Sequence, residues 1–326
     1  MADTVSVVIT TSAREPVSET VEAIDSVRQQ SCLPKEIILV VEGEEPDSER
    51  CRRVDSKLVR VLRSDGFGLS EGRNTGIRNA TEEIVAFIDD DALADKNWLH
   101  NLIRNYDDPR VMGAGGKILA VFPDKRPLWF AHELDWMLGC TYAGHPQRRC
   151  QIRNLIGSNM SFRREALLSI GGFPTRLGRR RGSLLGSEEA ALAIGLLERY
   201  PESRIIFDPE AVVYHRISRW KTTLSFMIRR SFFEGYSKAI VARLFGEKAL
   251  WVEARYVRMV LGGATWRRFA RRFTRSALIE WGGLMCSTYA VGLGYVAGWL
   301  CNDDVGCSGG FEAHDSPAGN ERSEFD

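Results

Sequence analysis

The sequence predicts an α/β fold built on a mainly parallel sheet flanked by helices, and three observations predict it. Short apolar runs alternate with helix-like stretches through the first third of the chain, the pattern of βαβ crossovers. Polar residues punctuate the carboxyl ends of those runs, where sheets of this kind bind ligands. The chain has 326 residues and an ordinary globular composition, enough for one well-buried core plus an appendage.

Each element follows in order. Val5-Ser-Val-Val-Ile-Thr10 reads as a buried strand, followed by a helix-like stretch from Ser18 to Gln30. Glu36-Ile-Ile-Leu-Val-Val41 is the second strand and ends at Glu42, and Leu58-Val-Arg-Val-Leu62 is the third. A glycine-rich turn leads into a helix from Ser70 to Asn79, and Ile84-Val-Ala-Phe-Ile88 is a fourth strand ending in Asp89-Asp90-Asp91. From Gly113 to Trp220 the pattern is less regular, with loops, short strands and a helix from Ser187 to Tyr200. Beyond Lys221 it becomes helical, with many aromatics and arginines, and the acidic tail reads as disordered. There is no internal repeat.

The formal net charge is +1 with both signs abundant, which by itself says little about partners; no nucleic-acid partner is expected. Seven cysteines are scattered without a CxxC pair, which argues against a zinc site or a disulfide framework and fits a reducing compartment. The first residues carry no basic stretch and too short an apolar run for a signal peptide.

The chemistry concentrates at strand ends. Alternation along the fourth strand puts Asp89 and Asp91 on one face and Asp90 on the other. Two carboxylates converging there suit a hard divalent cation that also takes phosphate oxygens. Glu188-Glu189 opens a helix, where the macrodipole favours acids. His215 follows the strand-like Ala211-Val-Val-Tyr214.

The ordered set of Val5–Thr10, Val41-Glu42, Gly68-Leu-Ser-Glu-Gly-Arg-Asn-Thr-Gly76, Phe87-Ile-Asp-Asp-Asp91, Gly157-Ser-Asn-Met-Ser-Phe-Arg-Arg164, Gly171-Gly-Phe173, Glu188-Glu189 and Val213-Tyr-His215 resembles the family 2 glycosyltransferases over residues 5–220. Trp136-Met-Leu-Gly-Cys-Thr-Tyr142, Ile156–Phe162 and Phe233-Glu-Gly-Tyr-Ser-Lys238 are similar to the archaeal glucosyl-dolichyl phosphate glucuronosyltransferases. The resemblance implies a GT-A fold over 1–220, with a nucleotide-sugar-binding half (1–117) and an acceptor half (118–220). It also implies inverting transfer of glucuronate or glucose from a UDP-sugar to a lipid-linked saccharide, with Mg2+ or Mn2+ as cofactor.

Residue by residue, Asp89 and Asp91 match the DxD motif that holds the donor ribose and the metal, and His215 matches a third metal ligand. Thr10, Glu42, Arg73 and Asn74 fall at donor-binding positions, with Glu42 where the family has an Asp that reads the base. Glu189 matches the catalytic base. Because Ala191 stands where many relatives carry an acid, Glu188 remains the alternative base. Arg179, Arg180 and Arg181 read as a loop able to close over the diphosphate or meet an acceptor phosphate.

The remaining segment, 221–305, reads as membrane-associated, and 306–326 as the disordered tail. Arg267, Arg268, Arg271, Arg272 and Arg275 share one helical face opposite Trp266, Phe269 and Phe273, the pattern of a helix in the headgroup region. Trp281 to Cys301 is a charge-free window of 21 residues, roughly 30 Å as a helix, long enough to span a bilayer or to dip in as a hairpin, though it contains five glycines. The preceding arginines would place the catalytic domain at the cytoplasmic face of the membrane. A catalytically silent, membrane-associated sugar-nucleotide binder, or a transferase acting on a polysaccharide, is the alternative.

Overall fold

Of the four strands that open the chain, the first, second and fourth are apolar because they are buried on both faces, while the third, at the sheet edge, is only partly buried. The computed structural model describes residues 4–12, 16–43, 53–54, 57–178, 184–266 and 274–301. In it β1 (Val5–Ser12), β2 (Glu36–Glu42), β3 (Val59–Arg63) and β4 (Ile84–Asp89) form the order β3-β2-β1-β4, all parallel. Val7, Ile9, Ile37 and Leu39 pack one face with Ile24 and Val27 of helix α1 (Val17–Arg28). Val8, Ile38 and Val40 pack the other with Ile77 of helix α2 (Leu69–Asn79). Burial on both sides is why these strands read as continuous apolar runs rather than as alternating ones.

The second half of the sheet is mixed, which narrows the expectation of a mainly parallel sheet to the first four strands. From β4 the order continues β8-β6-β9-β5, with β7 also paired to β9. β8 (Met160–Arg163) runs antiparallel to both β4 and β6 (Val111–Val121), while β6 and β9 (Arg204–Arg216) are parallel. The short β5 (Ala92–Ala94) and β7 (Cys150–Ile152) lie antiparallel on β9. Helices α3 (Trp98–Ile103), α4 (Arg164–Ser169) and α5 (Glu188–Arg199) complete the layer structure.

The region expected to hold only short strands therefore contains the two longest. β6 was obscured by Gly113, Gly115 and Gly116, which lower strand propensity. Those glycines are there for contact: a Cβ on Gly116 would collide with the Ala211 carbonyl oxygen, and one on Gly113 would press the Phe162 ring at 2.7 Å. β9 carries Pro209 beside a register shift of the β6–β9 ladder. The expected division at 117/118 falls inside β6, so one sheet runs through both halves.

The C-terminal region is helical: α6 (Leu224–Phe245), α7 (Trp251–Arg258) and α8 (Arg275–Leu300). Thr223 and Thr274 cap α6 and α8 by accepting from Phe226 N and Ala277 N. No helix among the described residues is long and apolar enough to cross a membrane. The charge-free window lies in α8, which is one continuous helix packed along α6 rather than a hairpin. Its glycines admit close approach of backbones. A Cβ on Gly294 would strike the Phe232 carbonyl oxygen, and one on Gly235 the Val291 carbonyl oxygen. Between them the Ser231 and Ser287 hydroxyls hydrogen-bond across the helices at 3.0 Å. The arginine-rich face of 267–273 and the tail lie outside the described residues.

The glycines of α8 are thus expected to respond in opposite directions to the same substitution. Gly282 has nothing within 4 Å of its Cβ position. Gly282→Ala should stabilise by up to about 1 kcal/mol through helix propensity. Gly294→Ala should destabilise by about 1–3 kcal/mol through overpacking. Denaturant unfolding of the two variants against the parent measures both; equal responses would mean that α6 and α8 do not pack this way.

Candidate active site

β4 ends in carboxylates, and the pairing of β5 with β9 brings a histidine to them. Ala92 lies opposite His215 in that ladder, and the Arg216 N–H donates to the Asp91 carbonyl. His215 Nε2 then sits 2.9 Å from Asp91 Oδ1, and Lys221 Nζ 3.2 Å from Asp91 Oδ2. Burial acts to raise the Asp91 pKa, but His215 and Lys221 outweigh it and hold this carboxyl far below the ordinary range. Asp90 instead accepts from the Thr11 hydroxyl of β1.

Ligand atoms of Asp89, Asp91 and His215 all lie within 4.8 Å of one another. Two carboxylate oxygens and an imidazole nitrogen so placed fit a divalent cation, with room left for oxygens from another molecule. On its far side, His215 Nδ1 lies 3.6 Å from the fully buried Cys140 thiol, whose pKa burial pushes up, so that it remains a protonated partner for the ring.

A second cluster is built on Arg73. This residue of α2 keeps only 2% of its surface yet reaches three carboxylates from two other elements. Its Nη2 lies 3.4 Å from Asp89 Oδ1, and its Nη1 lies 3.2 Å from Glu188 Oε1 and 3.5 Å from Glu189 Oε1. The guanidinium also covers the Phe173 ring at 5.3 Å. A Cβ on Gly157 would collide with both Arg73 Nη2 and Glu189 Oε1, so glycine at that position leaves the cluster its space. One cation among three acids leaves this end negative, a second reason why it suits a metal ion. Ser187, the N-cap of α5, sits at φ 71°, the one non-glycine residue with positive φ among the described residues. Strain of this kind concentrates at functional sites, and here it sets the first turn that carries Glu188 and Glu189.

The other expected donor residues divide. Thr10 stands opposite Asp89 in the β1–β4 register, and its methyl group would stand 3.2 Å from a Cβ at Gly72, a tight contact. Glu42 ends β2 opposite Ser12, two strands from Asp89, a lateral offset of about 10 Å. Asn74 points elsewhere: its amide donates to the Phe173 carbonyl at 2.8 Å and accepts from the Phe173 N–H at 2.7 Å. It pins the Gly171-Gly172-Phe173 turn rather than lining the site. Arg179, Arg180 and Arg181 lie outside the described residues.

Asp89, Glu188, Glu189 and His215 line one end of a cavity of about 570 Å3, whose other walls come from the Trp136–Tyr142 segment and from α6, α7 and α8. Sequence reasoning gave no site role to Lys221, or to Cys140 and the α6 wall, although the segments Trp136–Tyr142 and Phe233–Lys238 that contain the latter two carry part of the resemblance. Lys221 sits in a single turn and Cys140 in a loop, where periodicity carries no signal. Glu234 and Lys238 form an i,i+4 ion pair at 3.0 Å whose side chains are both largely buried against the cavity.

The chain matches the family model described as Glycosyl transferase family 2 over residues 6–171. It is 31% identical, over 74% of its length and 78% of the relative's, to a glucosyl-dolichyl phosphate glucuronosyltransferase of Haloferax volcanii. It is 26% identical over 54% of its length to a pre-mycofactocin glycosyltransferase of Mycobacterium tuberculosis, covering 35% of that protein. Among solved structures it resembles the mannosyltransferase PcManGT of Pyrobaculum calidifontis in complex with GDP-Man and Mn2+, with a TM-score of 0.60 and 18% identity over 93% of this chain and 89% of that one. It also resembles GalNAc-T7 with UDP, GalNAc and Mn2+, with a TM-score of 0.55 and 15% identity over 78% and 54% of the two chains. These two likenesses concern the fold.

Proposed function

We propose, because this chain belongs to glycosyl transferase family 2 and is a glycosyltransferase of GT-A fold, that it transfers glucuronate or glucose from a UDP-sugar to a saccharide carried on a polyprenyl or dolichyl phosphate, with inversion, at the cytoplasmic face of a membrane. The observation that carries this reading is a cation-ready trio, Asp89, Asp91 and His215, of which Asp89 and His215 line one cavity with the acid Glu189, with Arg73 shared between Asp89 and Glu189.

In this reading Glu42 meets the base, Thr10 and Asp89 the ribose and diphosphate, and Asp91 and His215 hold Mg2+ or Mn2+ with Asp89. The metal, when bound, supplies positive charge against the diphosphate leaving group. Glu189 accepts the proton of the attacking acceptor hydroxyl, and a single displacement from the face opposite the leaving group inverts the anomeric carbon. Of the two glutamates, accessibility favours Glu189: its side chain is 19% exposed and that of Glu188 only 4%. Arg73 fixes both the donor-side Asp89 and the base-side glutamates, so it aligns the two halves of the reaction. The name of the Haloferax relative supports a uronate donor and a lipid-linked glucose acceptor. Exposed Tyr289, Leu293, Val296 and Leu300 recur every three or four residues along α8, which suits a lipid surface.

The test is a panel of UDP-glucuronate, UDP-glucose and UDP-N-acetylglucosamine against dolichyl phosphate glucose in detergent, with Mn2+ and with EDTA. Transfer from UDP-glucuronate that EDTA abolishes is expected. Acceptor left unglycosylated by every donor would overturn the substrate assignment.

A further inference from the structure

The cavity has a second charged end, remote from the metal trio in sequence and built from helices outside the sheet. α6 contributes Arg230, Glu234 and Lys238 to it, α7 contributes Glu253, and Arg153 follows β7. Two carboxylates are shared among three cations. Glu234 pairs with Arg230 Nη1 at 2.8 Å and Lys238 Nζ at 3.0 Å; Glu253 pairs with Lys238 at 3.0 Å and Arg153 Nη2 at 2.6 Å. Burial works against their charges, but the neighbouring cations outweigh it and pull the pKa of both Glu234 and Glu253 down to about 2. The group therefore carries one positive charge in excess at neutral pH.

Arg230 is where that excess is available. It retains 8% of its surface, stacks over Trp136 at 5.7 Å, and spends Nη1 on Glu234 and on the Leu184 carbonyl. Its Nε is buried, and among the described residues nothing accepts from it. Nε and Nη2 together form the edge of a guanidinium that grips two oxygens of a phosphate or carboxylate at once. Gly186 lies against this edge without a side chain, since a Cβ there would stand only 3.0 Å from Nη2. A buried donor without an acceptor is costly, and so invites a ligand that supplies one.

We propose that the Nε/Nη2 edge of Arg230, whose Nε lacks an acceptor, is an anion site for the acceptor, taking the phosphate through which the acceptor saccharide is joined to its lipid. This rests on the assignment of a lipid-phosphate acceptor above and adds the residue that reads it. The two ends of the cavity then divide the work by charge. The negative end, with Asp89, Glu188 and Glu189 around Arg73, takes the cation and the reacting hydroxyl. The positive end takes the anionic link, and the side chains of Ser287, Thr288 and Val291 on α8 line the space beside it, where an apolar chain can leave. Phosphate-anchored binding orients the saccharide without contacting the reacting bond.

The test is calorimetric binding, which needs no turnover and so stands whether or not the donor assignment holds. Octyl phosphate, octyl glucoside and inorganic phosphate are titrated into the parent, Arg230→Gln and Arg230→Lys proteins, with UDP and Mn2+ as the control for folding. Octyl phosphate is expected to bind the parent at least tenfold more tightly than Arg230→Gln. Arg230→Lys, which keeps a charge for Glu234 but loses the fork, should recover only part of that. UDP binding should stay unchanged in all three. Octyl phosphate binding that is equal in parent and Arg230→Gln would overturn the site. Inorganic phosphate binding as tightly as octyl phosphate would overturn the lipid source, and octyl glucoside binding as tightly would overturn the role of charge.

Discussion

Asp91→Ala is expected to lower kcat/KM for sugar transfer by about 10^3-fold or more and to abolish Mn2+ binding, because it removes both a ligand and the charge that makes the site cation-seeking. The size follows from the surroundings. Asp91 lies between His215 Nε2 and Lys221 Nζ, and both compete for its oxygens in the metal-free protein. Without the carboxylate, Lys221 remains as an uncompensated, almost fully buried ammonium next to the remaining ligands. An incoming Mn2+ would meet repulsion where it now meets attraction. Asp91→Asn is the informative companion. It keeps the shape and one acceptor oxygen in place of the two that meet His215 and Lys221, so it should retain more of the parent's stability than Asp91→Ala while still losing metal affinity. Calorimetric Mn2+ titration and transfer assays with and without EDTA check both. Undiminished, chelator-insensitive transfer by Asp91→Ala would show that the trio is not the metal site.

The way Asp91 is held shows which parts of the fold were legible. β1, β2 and β4 could be read directly, since Val5–Ile9, Ile37–Val41 and Ile84–Ile88 are buried, largely apolar runs that end in polar residues at a common edge. β6 could not, because Gly113, Gly115 and Gly116 suppress the strand signal in order to let Phe162, Leu155 and Ala211 approach. α8 had a double meaning. A glycine-interspersed, charge-free window is long enough for a bilayer, yet Gly235 and Gly294 admit the backbone of a neighbouring helix instead. The site was legible where one motif holds the groups together, as in Asp89 and Asp91. Arg73 was placed at a helix start, but its junction role needs its side chain to reach from α2 to the end of β4 and the first turn of α5, a tertiary fact. Lys221 and Cys140 act through contacts with residues 130 and 75 positions away, and Arg230 through a buried donor without an acceptor, and neither leaves a trace in local pattern.

Glu189→Gln should lower kcat by about 10^3-fold, within the range for loss of a general base, while leaving UDP-sugar and Mn2+ binding within about twofold of the parent. The reason for the split is the Arg73 junction. Glu189 Oε1 is the more distant of the two glutamate contacts to Nη1, at 3.5 Å, and Glu188 at 3.2 Å and Asp89 at 3.4 Å still hold the guanidinium when Glu189 is neutral. Donor-side geometry is thereby preserved and the proton acceptor alone is removed. A loss of about 10^3-fold corresponds to about 4 kcal/mol of transition-state stabilisation. Glu188→Gln separates the two glutamates. Glu188 is buried beneath the site, so neutralising it leaves Arg73 short of a close partner, which should reduce thermal stability and donor affinity together. If Glu188→Gln instead loses kcat alone and Glu189→Gln keeps it, the base is Glu188. A Glu189→Gln protein that neither turns over nor binds UDP-sugar would mean that this acid belongs to the donor site rather than to proton transfer.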